Sequence, residues 1–82
     1  MVPIAKIQKL IETALPDSEV VVQDMTGMGD HFQALVISPH FEGKTMIEQH
    51  QLVYKALGDH MKEAIHALAL KTFTPEQWKA EG

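Results

Sequence analysis

The sequence predicts an α+β fold in which helices pack on one face of a three-stranded sheet. Three observations predict it: an amphipathic helical stripe near the N-terminus, two β-branched runs separated by glycines, and a capped helix followed by a third apolar run. With 82 residues there is room for one domain, and a hydrophobic content of 45% is ordinary for a folded protein. We therefore expect a single domain over residues 1–82.

The first elements are predicted to be a helix and a β-hairpin. Residues 3–15 carry apolar side chains at helical spacing, and prolines suit the first turn and the end of this segment. The runs 19–25 and 31–38 are rich in β-branched residues, and the Thr-Gly-Met-Gly-Asp segment 26–30 between them predicts a turn. Because the second run is apolar on both faces, we expect it to lie inside the sheet.

A second helix is predicted after a connector over residues 38–43. Thr45 and Glu48 have the spacing of an N-terminal capping box, in which each residue bonds the backbone of the other. Gly58 suits the C-terminus of this helix, because glycine adopts the left-handed conformation that often ends helices. One further helical turn or two is predicted over residues 59–64.

The C-terminal part predicts a third strand and a short final helix. Residues 65–73 are apolar on both faces, which is typical of a buried strand. The Thr-Pro-Glu-Gln segment 74–77 combines an N-cap, a proline at the first helical position and a glutamine at the third. Trp78 is expected to cover the sheet or the core. Most methionines are expected to fill the core, with Met28 exposed near the hairpin tip; the set is Met25, Met28, Met46 and Met61.

The composition excludes several classes of function. The chain has seven lysines, eleven acidic residues and no arginine, which gives a net charge of −4. This composition is unfavourable for binding nucleic acid, whose phosphates attract basic side chains. The absence of cysteine excludes disulfides, a catalytic thiol and a cluster ligated by this chain's own thiolates. No apolar run approaches the roughly 20 residues that span a bilayer, and no secretory signal is evident, so we expect a cytoplasmic protein.

Five histidines are the candidate metal ligands, at positions 31, 40, 50, 60 and 66. No two of them are three or four residues apart, so no local zinc motif exists and a metal site must be assembled across the fold or across an interface. His50 lies on the apolar stripe of the second helix, where a packing or capping role is expected. His40 and His60 are expected to be exposed.

Three blocks of sequence form a recognisable pattern. They are Ser38-x-x-Phe41-x-Gly43-Lys44, then His50-x-x-Val53-Tyr54-x-x-Leu57, then Ile65-His66-Ala67-Leu68 running on to Thr74-Pro75-Glu76-x-Trp78. This pattern resembles the BolA family over nearly the whole chain. The resemblance implies an αββααβα fold, similar to a type II KH domain.

The resemblance also implies a function and two site residues. Proteins of this family are non-enzymatic adaptors that share a bridging [2Fe–2S] cluster with a monothiol glutaredoxin, which brings glutathione to the complex. The histidine that opens the third strand is the family's invariant proposed ligand, and it matches His66. The second ligand comes from the hairpin loop and matches His31. Cluster and metal binding through these two residues is what the resemblance implies.

The chemistry of imidazole fits this role. Two histidines replace two cysteines at one iron of Rieske centres, so a chain without cysteine can supply imidazoles while a partner supplies thiolates. Histidine must be deprotonated to bind a metal, so the affinity of the chain for the cluster should fall as pH drops through roughly 6.5. A ligand on the hairpin loop can move, whereas one on a strand stays in place.

The alternative function is that of a KH-like transcriptional regulator that binds nucleic acid. Many family members carry Arg-His-Arg where this chain has Gln49-His50-Gln51, and the loss of both arginines removes positive charge from the second helix. The Gly-x-x-Gly loop with which KH domains clamp nucleic acid is also missing. We expect no catalytic residues, because no Ser-His-Asp order, paired-carboxylate signal or cofactor fingerprint stands out.

Overall fold

The computed structural model describes residues 3–28, 31–60 and 67–81. The elements are α1 (Ile4–Ala14), β1 (Glu19–Asp24), β2 (His31–Ile37), a short 3-10 helix (Pro39–Phe41), α2 (Met46–Leu57), β3 (Ala67–Phe73) and α3 (Pro75–Glu81). The predicted α+β order of these elements is confirmed. Most of the helical turn predicted over 59–64, and the first two residues of the predicted third strand, lie outside the described residues. None of the helices within these ranges is long and apolar enough to cross a membrane.

The described strands form one sheet in the order β1-β2-β3, with β1 antiparallel and β3 parallel to the central β2. The interior position predicted for β2 is therefore confirmed. Phe32, Ala34 and Val36 of β2 are buried, whereas Gln33 and Leu35, on the opposite face, are only half-buried. This alternation of period two shows that one face of β2 carries the main core.

The core lies between the sheet and the first two helices. Its buried residues are Ile7 and Ile11 of α1, Val20 and Val22 of β1, Phe32, Ala34 and Val36 of β2, and Val53 and Leu57 of α2, with Leu15 and Phe41 from connecting segments. Leu68 and Leu70 of β3 are partly buried and pack against this cluster. Each helix contributes residues four positions apart, because one stripe of its surface faces the sheet.

The N-terminal boundary of α1 differs slightly from the prediction. Pro3 is the N-cap in extended conformation (φ −65°, ψ 145°) and precedes the first helical turn, in which it was expected to lie. Its carbonyl oxygen accepts hydrogen bonds from the backbone N–H groups of Lys6 and Ile7, at 3.1 and 3.3 Å. The helix stops at Ala14, two residues before Pro16.

Both predicted capping boxes are present. The Thr45 backbone N–H donates to Glu48 Oε1 at 2.9 Å, and the Glu48 N–H donates back to Thr45 Oγ1 at 3.2 Å. The same reciprocal pair joins Thr74 and Gln77, at 3.0 and 3.1 Å. Hydrogen bonds from Thr45, first from its backbone N–H and then from its side chain, lower the pKa of the Glu48 carboxyl.

Replacing Thr45 with alanine should lower the free energy of unfolding by about 1 kcal/mol near neutral pH. Because the folded-state pKa of Glu48 is lowered, the stabilisation from its charged form is complete above the unfolded pKa and is lost as pH falls through the folded value. Alanine keeps the Thr45 backbone N–H, so Thr45→Ala removes only the contribution of the Thr45 side chain to this stabilisation, and we expect the difference between wild type and variant to shrink in acid by that contribution. Urea unfolding at a series of pH values measures it; a difference that grows in acid would contradict this account.

The exposed apolar residues correct the prediction for the methionines. Met25 and Met46 are 57% and 61% exposed, so the expectation that they fill the core is wrong, whereas the exposure expected for Met28 is confirmed at 70%. Met25 lies in the hairpin turn. Met46 lies at the first turn of α2, where its sulfur accepts a hydrogen bond of 3.8 Å from Thr72 Oγ1 of β3 while most of the side chain stays exposed. Met61 lies outside the described residues.

Trp78 packs on β3, as expected of a residue that covers the sheet. Its ring lies 5.4 Å from the Phe73 ring, centroid to centroid, with the ring planes 58° apart. The indole remains 40% exposed. Phe73 is the register partner of Ile37, which is buried but stands apart from the main core cluster. The aromatic pair therefore marks the end of the sheet from which α3 departs.

Candidate functional site

The hairpin tip is shaped by local hydrogen bonds from its own side chains. Asp24 Oδ1 accepts from the backbone N–H groups of Thr26 and Gly27, at 3.2 and 2.9 Å. Thr26 Oγ1 accepts from the Met28 N–H at 3.2 Å. Gly27 has a φ of 78°, a left-handed conformation that suits glycine, so the chain turns back sharply at this point.

His31 stands where this turn meets the sheet. It is the first residue of β2 and is exposed. Its carbonyl oxygen accepts a hydrogen bond of 2.8 Å from the N–H of Met25, on the opposite side of the hairpin. On its other side, the backbone of His31 is in register with Ala67, the first residue of β3. The backbone of His31 is thus held between two neighbouring segments, and the residue remains open to solvent.

The second predicted ligand, His66, lies outside the described residues. It precedes Ala67 in the chain, and Ala67 pairs with His31 in the parallel ladder. The register therefore brings the beginning of β3 to the strand end that carries His31. Within residues 3–28, 31–60 and 67–81, no three histidine or carboxylate side chains form a group that could hold a metal ion.

The remaining histidines have separate environments. His40 is exposed as expected, and its Nε2 lies 2.9 Å from the carbonyl oxygen of Pro16, beyond the end of β2 opposite to His31. His50 packs edge to face against Tyr54, with ring centroids 6.4 Å apart, and its buried Nε2 has no hydrogen-bond partner among the described residues. This contact supports the packing role expected for His50. His60 is half-buried, in contrast to the expected full exposure.

A buried polar network that sequence reasoning missed links α2 to β3. Gln49 is only 5% exposed, and its Nε2 donates to the carbonyl oxygens of Lys44 at 3.0 Å and Phe41 at 3.5 Å. Its Oε1 accepts from Thr72 Oγ1 at 2.7 Å. The spacing of Gln49 from Val53, one turn later on the buried stripe, is the signal that could have revealed this position.

The glutamine at this position has a structural role. The sequence predicts a loss of positive charge from the second helix at Gln49 and Gln51. Gln51 is exposed, in agreement with that interpretation, but Gln49 points inward and is hydrogen-bonded to two backbone carbonyl groups. Gln49 thus connects the segment after the 3-10 helix to the third strand.

Comparison with known proteins gives a consistent result. The family model described as BolA-like protein matches residues 9–77. The DNA-binding transcriptional regulator BolA of Haemophilus influenzae is 34% identical over 79 residues, which cover 93% of this chain and 77% of that protein. Protein BOLA2 of Arabidopsis thaliana is 40% identical over 81 residues, 96% of this chain and 86% of its own. The solved structure of a bolA protein homologue from Coxiella burnetii superposes with a TM-score of 0.81 at 46% identity, covering 96% and 99% of the two chains.

Proposed function

This chain belongs to the BolA-like family, and we propose that it is a non-enzymatic adaptor that shares a [2Fe–2S] cluster with a monothiol glutaredoxin. His31 and His66 are its proposed ligands. The observation that carries the proposal is the place of His31, which is exposed at the hairpin tip and in register with the residue that follows His66. A cluster bound there would lie at the surface, where a second protein can complete its coordination.

The metal-binding side chains of this chain suit a cluster shared with a second protein better than a cluster bound by this chain alone. Histidine nitrogen is a suitable ligand for iron, but the protein has no cysteine with which to supply thiolate. Thiolates must then come from the glutaredoxin and its glutathione. Two neutral imidazoles in place of two anionic thiolates leave the cluster less negative and raise its reduction potential. The cluster is cargo that the two proteins hold together.

The two proposed ligands differ in how the chain holds them. His31 adjoins a turn built from short polar side chains and glycine, so a small adjustment of this turn can adapt its imidazole to a partner. His66 adjoins β3, whose backbone is paired along β2 from Ala67 to Phe73. We propose that the strand-side ligand anchors the cluster and the loop-side ligand adjusts to it.

The proposal predicts that each histidine is needed for the bridged complex. When the chain is mixed anaerobically with a monothiol glutaredoxin, glutathione, ferrous iron and sulfide, a cluster-containing heterodimer should form with a visible spectrum unlike that of the glutaredoxin alone. His31→Ala and His66→Ala should each lower its yield by about tenfold or more, since even outer-shell changes typically cost that much. Size-exclusion chromatography with visible absorbance and circular dichroism measures this.

His40→Ala is the matched control, because it removes an exposed imidazole beyond the other end of β2. It should leave both the yield and the spectrum unchanged. If the heterodimers of His31→Ala and His66→Ala have the same spectrum as the wild-type heterodimer, neither histidine is a ligand of the cluster. Failure of the wild-type chain to form any complex would reject the adaptor function itself.

Transcriptional regulation through DNA is the second candidate, because the similar Haemophilus influenzae protein is named a DNA-binding regulator. The likeness to a type II KH domain that the family resemblance implies points the same way, although fold likeness alone is a weak argument for function. The net charge of −4 and the absence of arginine oppose it. Tight binding that weakens steeply with added salt would support this second function over the first.

A further inference from the structure

Two soft thioether donors, Met25 and Met28, and one imidazole, His31, lie at three-residue intervals around the hairpin tip. Met25 is 57% exposed and Met28 is 70% exposed, and His31 is exposed as well. Methionine is among the residue types most often buried in folded proteins. Two thioethers open to solvent in a single turn add nothing to the core, so their presence calls for another explanation.

Met25 and His31 are cross-strand neighbours. Asp24 and Phe32 form the last strand pair of the hairpin, and Met25 comes directly after Asp24 while His31 comes directly before Phe32. The Met25 N–H donates to the His31 carbonyl oxygen at 2.8 Å. Residues directly opposite each other in an antiparallel pair project from the same face, with Cα atoms about 4.5–5.5 Å apart. The side chains of Met25 and His31 are therefore expected on the same face of the hairpin, where one ion can bind both.

Met28 is held in the same turn by the bonds that shape it. Asp24 Oδ1 receives the N–H groups of Thr26 and Gly27, and Thr26 Oγ1 receives that of Met28. Only two residues separate Met28 from His31 in the chain. The described part of the turn, residues 24–28, is held by these hydrogen bonds, which lowers the entropy lost when its side chains close around an ion.

The chemistry of these donors selects one class of metal ion. Thioether sulfur is soft and uncharged, and it favours Cu(I) over hard divalent cations, which prefer oxygen ligands; imidazole also suits copper. The Asp24 carboxylate within the turn and the net charge of −4 favour a cation. We propose that Met25, Met28 and His31 bind one Cu(I) ion at the hairpin tip. This site requires neither iron nor a glutaredoxin, but it shares His31 with the proposed cluster site, so the two metals compete for one imidazole. The Met25 and Met28 variants distinguish the sites, because neither methionine is a proposed cluster ligand.

Competition for Cu(I) tests the proposal. The full chain is titrated anaerobically against the coloured Cu(I) complex of bicinchoninate, and the loss of colour reports the copper withdrawn. The wild type should withdraw one equivalent. Met25→Leu and Met28→Leu should each weaken binding by about tenfold or more, because each removes a sulfur donor while leucine keeps a similar volume. X-ray absorption should show sulfur and nitrogen neighbours of copper.

Met46→Leu is the matched control, since Met46 is 61% exposed but lies in the first turn of α2. It should bind Cu(I) as the wild type does, and His31→Ala should bind more weakly. The proposal is overturned if the Met25→Leu, Met28→Leu double variant competes as well as wild type, or if copper shows no sulfur neighbour. Circular dichroism of each variant confirms that the fold is intact.

Discussion

Replacing Phe41 with alanine will lower the free energy of unfolding by about 3–5 kcal/mol. Phe41 ends the 3-10 helix between β2 and α2, and its side chain is fully buried in the main core cluster. The truncation removes the apolar contacts of the ring and leaves a cavity that the neighbouring helix and strand can fill only in part. Because small domains are stabilised by about 5–15 kcal/mol in total, the variant will be marginally folded.

Urea unfolding followed by circular dichroism measures this loss. Met28→Ala is the control, because it also shortens a large apolar side chain but at a position that is 70% exposed. Surface changes of this kind usually alter stability by no more than about 0.5 kcal/mol. A Phe41→Ala variant that is as stable as Met28→Ala would mean that the connector is not part of the core.

Replacing Gln49 with leucine will cost about 2–3 kcal/mol, which is the second largest effect we expect. The amide of Gln49 bonds the carbonyl oxygens of Phe41 and Lys44 and the hydroxyl of Thr72. Leucine occupies a similar volume but leaves these polar groups without their partner. A buried polar group without a hydrogen-bond partner destabilises the fold by the free energy needed to remove it from water, about 1–3 kcal/mol.

Gln51→Leu is an internal control for this variant, since it makes the same substitution two residues away on the exposed face of α2. It should change the free energy of unfolding by less than about 0.5 kcal/mol. Adding Thr72→Val to Gln49→Leu removes both partners of the 2.7 Å bond, so the double variant should lose less than the sum of the two single losses. Equal losses for Gln49→Leu and Gln51→Leu would reject the buried network.

The candidate site was predictable only in part. The two histidines were chosen because the sequence resembles a known family, and their spacing alone identified no site. The structure places His31 at an exposed strand end, while His66 lies outside the described residues, so ligation by the pair stays a prediction. The exposure of Met25 could not be anticipated, because its sequence neighbours do not reveal that the core stripe of β1 ends before the turn.

By itself, the sequence determined the features that depend on neighbours within about one helical turn: the two capping boxes, the end of α2 at Gly58 and the hairpin between β1 and β2. Only the tertiary structure decided that β3 lies parallel to β2, which aligns His31 with Ala67, and that Gln49 turns inward to meet Thr72. The reason is physical. A cap or a turn is formed by adjacent residues, whereas the partner of a distant strand or a buried amide is selected by packing of the whole core.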